Sequence, residues 1–163
     1  MFKWLFGKGE DASPATGGNA EVVVVSRRVP VSREQAFAAF VDHFDAWWPR
    51  ERRLAGGAIA IDGRYLGAVR EAGETIGAVL SFQRPEHIVI AWQIGPGGKH
   101  ESSEGSASRI DVRFVAIDAN TTEVVVVHRD FARHGDGWQG YRAEMGGKSG
   151  WPALIEAYAR TLG

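Results

Sequence analysis

Ser149-Gly150-Trp151-Pro152-Ala153-Leu154-Ile155-Glu156-Ala157-Tyr158-Ala159-Arg160-Thr161-Leu162 is the stretch that decides the fold. Trp151, Leu154, Ile155, Tyr158, Ala159 and Leu162 recur at the spacing of a single helix face. Glu156 and Arg160 fall on the other face, four apart and in the favourable acid-first order. Ser149 is placed to cap the start, and Pro152 is tolerated in a first turn, where its missing N–H has no helical partner to lose. At 1.5 Å per residue this predicts a helix ~21 Å long. A stripe carrying two large aromatics needs a concave apolar partner.

The middle of the chain supplies one. From Leu54 to Phe131 short β-rich runs alternate with turn residues. Ala58–Ile61 and Tyr65–Val69 flank Asp62-Gly63, a hairpin signal. Thr75–Gln83, His87–Ile94, Ala107–Ile117 and Thr121–Phe131 follow, with a Gly/Pro-rich loop from Gly95 to about Gly105. Such a series makes an antiparallel meander, and a twisted sheet of about six or seven strands curls. Period-two alternation puts Leu80, Phe82, Ile88, Ile90, Trp92, Ile110, Val112, Phe114, Val124, Val126 and His128 on its concave face.

Ahead of the meander, Glu21–Val29 reads as a strand by its β-branched content. Pro30 ends it. Ser32 with Gln35 makes a capping box for a helix whose apolar face is Ala36, Phe37, Phe40, Val41 and Phe44. Trp47-Trp48-Pro49 closes that helix. Adjacent helical residues diverge by ~100°, so one tryptophan is expected to line a concavity and the other to cover an edge. A short helix is expected over Trp138–Met145, with Asp136 as its cap.

The chain has 163 residues and a net charge of −1. It is expected to form one domain, residues 21–163, behind a flexible N-terminal tail, residues 1–20, of small polar composition. The tail opens with Phe2-Lys3-Trp4-Leu5-Phe6-Gly7-Lys8; membrane contact through these aromatics and lysines is a minor reading. The near-neutral charge gives no field for nucleic acid. With no cysteines there is no disulfide, thiol nucleophile or cysteine metal site, which fits a cytoplasmic protein.

Together Val29-Pro30-Val31-Ser32, Ala36-Phe37, Trp47-Trp48-Pro49, Pro85 with Ile88 and Trp92, the run Thr122–Phe131 and Gly150-Trp151 resemble START-like (SRPBCC) proteins. Within these they are similar to the branch related to the activator of heat-shock protein 90 ATPase. The resemblance spans about residues 21–162, one domain's length. It implies an α+β helix-grip fold, with a curved antiparallel sheet around a long C-terminal helix and a hydrophobic cavity between them. It does not imply one activity, because members include lipid and small-molecule binders, polyketide cyclases and a co-chaperone domain.

His128 is the one titratable group on the apolar inward face. It needs a hydrogen-bond partner or a ligand, so it is structural, ligand-orienting or a general acid–base. Trp48, Trp92, Trp151 and Tyr158 form an aromatic wall or plain core. Gly146-Gly147-Lys148-Ser149 ends like a phosphate loop, but Arg142 stands where the pattern needs glycine, which rejects nucleotide binding. His100, Glu101 and Glu104 sit in a solvated loop without the rigid elements a metal site uses. The strand arginines Arg27, Arg28, Arg109 and Arg113 read as a solvated face, the alternative being that Arg28 or Arg64 reaches the cavity mouth and pairs with an anionic ligand.

The expected function is binding of a hydrophobic small molecule or lipid-like ligand between sheet and C-terminal helix. The expected ligand contacts are Trp48, Leu80, Phe82, Ile90, Trp92, Val112, Phe114, Val126, His128, Trp151 and Tyr158. No catalytic residue, metal or cofactor is assigned. A cyclase- or dehydratase-like enzyme and a protein-interaction module with a protein partner stand as alternatives.

Overall fold

The computed structural model describes residues 21–163, apart from the side chain of Glu104. The expected tail, with its Phe2-Trp4-Phe6 cluster, lies outside the described residues. Strand β1 (Val23–Val29) leads through Pro30 to α1 (Arg33–Val41) and the single turn α2 (Phe44–Trp47). Six strands follow: β2 (Ile59–Ile61), β3 (Ala68–Glu71), β4 (Glu74–Gln83), β5 (His87–Trp92), β6 (Ser108–Asp118) and β7 (Thr121–Arg129). Helices α3 (Trp138–Gly146) and α4 (Trp151–Arg160) complete the fold. All seven strands form one antiparallel sheet in the order β1-β7-β6-β5-β4-β3-β2. This is the α+β helix-grip arrangement, with α4 packed beside β1 in the curl.

The capping box holds as read: Ser32 Oγ accepts from Gln35 N, and Gln35 Oε1 accepts from Ser32 N, both at 3.2 Å. The other two expected caps do not form. Helix α3 begins at Gly137, whose φ of 89° suits glycine, and Asp136 makes no cap bond. Helix α4 begins at Gly150 rather than Ser149, because Gly150 is pressed against the Glu144 and Met145 carbonyls, where any Cβ would collide. The helix is also shorter than expected. Its ten residues span ~15 Å, and Leu162 packs half-buried beyond its end.

Two strand expectations change. Asp62-Gly63 does not sit in a two-residue hairpin; β2 and β3 are joined by a loop over 62–67, with Tyr65 and Leu66 exposed at its tip. In β4 the register shifts between Val79 and Ser81, so Val79 opposes Ile90 and Phe82 opposes Ile88. Leu80 is the extra residue of this bulge, and the core takes Val79 in its place.

Both tryptophans of the Trp47-Trp48 pair are buried, contrary to the expected split. The helix ends at Trp47 and Trp48 turns extended (ψ 119°), which returns the second ring to the interior. Trp47 Nε1 donates to Phe40 O at 3.1 Å. The concave face is filled by interlocking rings: Phe37 on Phe114 at 5.0 Å, Phe40 on Tyr158 at 5.1 Å, and Trp48 on Trp151 at 5.9 Å. Tyr158 Oη donates to Ala36 O at 2.7 Å, tying α4 to α1.

Candidate functional site

His128 lies at the end of β7 and points into the sheet's curl, fully buried. Trp151 Nε1–H donates to its Nδ1 at 3.0 Å. An indole N–H only donates, so Nδ1 is the acceptor and the ring proton sits on Nε2. Nε2 then donates to Ser108 Oγ at 2.8 Å, and the Ser108 hydroxyl donates on to His134 Nε2 at 2.9 Å. Burial, and secondarily the nearby His134, hold the His128 imidazole well below its ordinary range. The ring is neutral at pH 7 with both nitrogens engaged.

Space opens one step further along the barrel. A cleft of about 370 Å³ lies between the segment after α2, the end of β5 and helix α3. Trp48, Trp92 and Ile94 form its inner wall. Tyr141, Glu144 and Met145 line one side, and Glu51, Arg52, Arg53 and Leu54 the other. Gly97 and Gly98 close over it, both at positive φ (70° and 73°), a turn that few other residues adopt.

Buried polar contacts hold these walls. Arg53, with only 3% of its side chain exposed, bonds Asp45 Oδ1 at 2.7 Å and Gly57 O at 2.8 Å, and also reaches Trp48 O. Glu71, 2% exposed, accepts from Leu54 N at 2.6 Å and Ala55 N at 2.7 Å. Tyr141 Oη donates to Ile94 O at 2.7 Å, and burial raises its pKa. One donor is left over: Trp48 Nε1 is buried with no hydrogen-bond partner among the described residues.

Of the expected ligand contacts, the cleft gathers Trp48 and Trp92. Ile90, Val112, Phe114, Val126, Trp151 and Tyr158 belong to the core, with His128 buried beside Trp151, and Phe82 packs on its margin. Leu80 is left outside by the bulge. Arg28 and Arg64 do not line the cleft; they face Glu123 and Asp62. The cleft's arginines are Arg52 and Arg53, which sequence reading missed. Their signal was local: a run of charge, Arg50-Glu51-Arg52-Arg53, one proline after two buried tryptophans. In the 95–105 loop, His100 Nε2 lies 3.2 Å from Gln93 Oε1. Among the described residues no three His, Asp or Glu side chains converge as metal ligands.

The family model "Activator of Hsp90 ATPase homolog 1-like protein" matches residues 30–163. The chain belongs to this family. Its fold recurs in solved structures at low identity. CalC of Micromonospora echinospora, described as a self-sacrificing resistance protein, is 24% identical, with 88% of this chain and 96% of that one covered and a TM-score of 0.60. Txn09, an anthrahydroquino-γ-pyrone synthase complexed with SUM, is 24% identical, covering 85% and 95% with a TM-score of 0.58. An HSP90 activator from Plasmodium falciparum is 18% identical, covering 83% and 94% with a TM-score of 0.58. No curated protein matches the chain significantly. No helix among the described residues is long and apolar enough to cross a membrane.

Proposed function

We propose that this family member binds a small, flat, largely apolar molecule in the cleft bounded by residues 48–54, β5 and α3. The observation that carries this reading is Trp48. Its ring walls the cleft beside Trp92, with centroids 5.1 Å apart, and its N–H is buried without a partner. A buried donor left unpaired costs about 1–3 kcal/mol, which a ligand oxygen reaching it would recover. The favoured ligand is therefore a planar aromatic with at least one carbonyl or hydroxyl acceptor. In the sheet–α4 interior, the site expected from the sequence, Phe37 and Phe114, Phe40 and Tyr158, and Trp48 and Trp151 pack ring against ring, which supports the cleft as the binding site.

Binding is favoured over turnover. Both nitrogens of His128 are engaged, and Tyr141 holds its proton toward Ile94. Among structural neighbours, Txn09 is described as a synthase and CalC as a resistance protein, so the fold alone does not decide between the two readings. The protein-partner reading rests on the family description and the Plasmodium neighbour, and no feature of the cleft favours it.

The test is a two-dimensional ¹H–¹⁵N spectrum of the six indole N–H groups, titrated with 2-acetylnaphthalene, a neutral aromatic ketone. The Trp48 and Trp92 signals should move while Trp47 and Trp151 stay. Movement of Trp151 first would place the ligand in the interior instead. No movement of any indole would remove the small-molecule reading.

A further inference from the structure

The cleft's polar groups are arranged unequally. Its cation is held in place: Arg52, with 17% of its side chain exposed, is anchored by Nη2 donating to Ser149 O at 2.8 Å. The acceptors are loose. Glu144 has 48% of its side chain exposed and meets Arg52 Nη1 through one 3.3 Å contact. Arg52 Nη1 also lies 3.4 Å from Met145 Sδ, a weak acceptor. Arg53, by contrast, is committed to Asp45 and to backbone carbonyls and offers the cleft no free donor pair.

A guanidinium presents five N–H donors in a rigid fork that fits a carboxylate bidentately. Arg52 spends its one short bond on Ser149 and a long one on Glu144. An exposed ion pair of that kind contributes little and exchanges readily. The cation is thus fixed at the cleft wall while its counter-ion is free to swing to solvent.

Building on the ligand reading above, we propose that the cleft recognises an anionic aromatic, an arene carboxylate or an enolate of like charge and shape, with Arg52 as its counter-ion. The carboxylate displaces Glu144 from Arg52, and the ring lies against Trp48 and Trp92. Arg52 is then the residue that sets specificity for charge, while the tryptophans set affinity for the ring.

The test compares 2-naphthoate with its neutral isostere 2-naphthamide by isothermal titration of the full chain. A charge-assisted bond gained in a partly dry cleft predicts that wild type binds the naphthoate roughly tenfold more tightly. Arg52→Gln should bring that ratio to about one, with naphthamide binding retained. Glu144→Gln removes the competing carboxylate and should raise the ratio by about threefold; it leaves Arg52 and its Ser149 anchor in place, so it keeps the idea testable if Arg52→Gln does not fold. Equal affinity for the two probes in wild type, or a ratio that neither substitution moves, overturns the charge recognition and leaves the ligand reading standing. If neither probe binds, both fall.

Discussion

Trp151, the first residue of α4, donates its indole proton to Nδ1 of His128 on β7 at 3.0 Å, and this bond sets the tautomer of a buried chain running through Ser108 to His134. Four side chains from β6, β7, the turn after β7 and α4 are joined in one direction of proton donation. Removing the first donor leaves His128 Nδ1 unpaired in a dry interior. Trp151→Phe should therefore destabilise by about 1–3 kcal/mol, and Trp151→Ala, which also empties a large site, by about 3–5 kcal/mol. Urea denaturation measures both. A loss below about 0.5 kcal/mol for Trp151→Phe, the range of surface substitutions, would mean the bond does not stabilise the fold.

The same chain makes stability depend on pH. Burial pushes both His128 and His134 below the ordinary value of 6.5. Below that pH the unfolded chain takes up protons that the native state refuses. The contribution is complete above about pH 7.5 and is lost as pH falls, at up to about 1.4 kcal/mol per unit for each histidine. Asp45, Asp111 and Glu156 are also lowered, but from 3.8, 3.8 and 4.5, so their loss belongs to a more acid window. Unfolding free energy should drop between pH 7.5 and 5.5, and His134→Gln should flatten part of that slope. A flat profile in both proteins would contradict the assignment.

Glu71 is a buried carboxylate whose two oxygens take the amide protons of Leu54 and Ala55. Replacing it by alanine frees both amides and loosens the wall that carries Arg52 and Arg53. A cost of about 2–3 kcal/mol is expected for losing bonds to a charged acceptor. Hydrogen exchange at the Leu54 and Ala55 amides should rise well above that of the β6–β7 ladder. Unchanged protection at those two amides would show that the wall is held by Arg53 alone.

Tyr158→Phe isolates the bond between the last helix and the first. Among the described residues its hydroxyl bonds Ala36 O alone, and burial pushes its pKa upward. The ring contacts with Phe40 and Trp47 survive the change. The expected loss is about 1 kcal/mol, read from the urea midpoint at constant slope. A change in slope instead would point to a rearranged native state.

Much of the architecture was legible in residue order because its signals are local. The Ser32–Gln35 capping box, the alternation along Val124, Val126 and His128, and the apolar stripe from Trp151 to Tyr158 are each written within a few residues. Side-chain period fixes which face is buried, whatever lies opposite. Tertiary packing decided the rest. The bulge that exchanges Val79 for Leu80 answers to the register with β5, and the extended turn at Trp48 brings in a ring that helical geometry would have sent outward. The partners of His128 come from positions 20 and 23 residues away. The cleft itself is the volume left where Trp48, Trp92 and Met145, remote in sequence, fail to close on one another. A pattern along one chain specifies surfaces to be buried; only the fit between those surfaces determines where a gap remains and which arginine faces it.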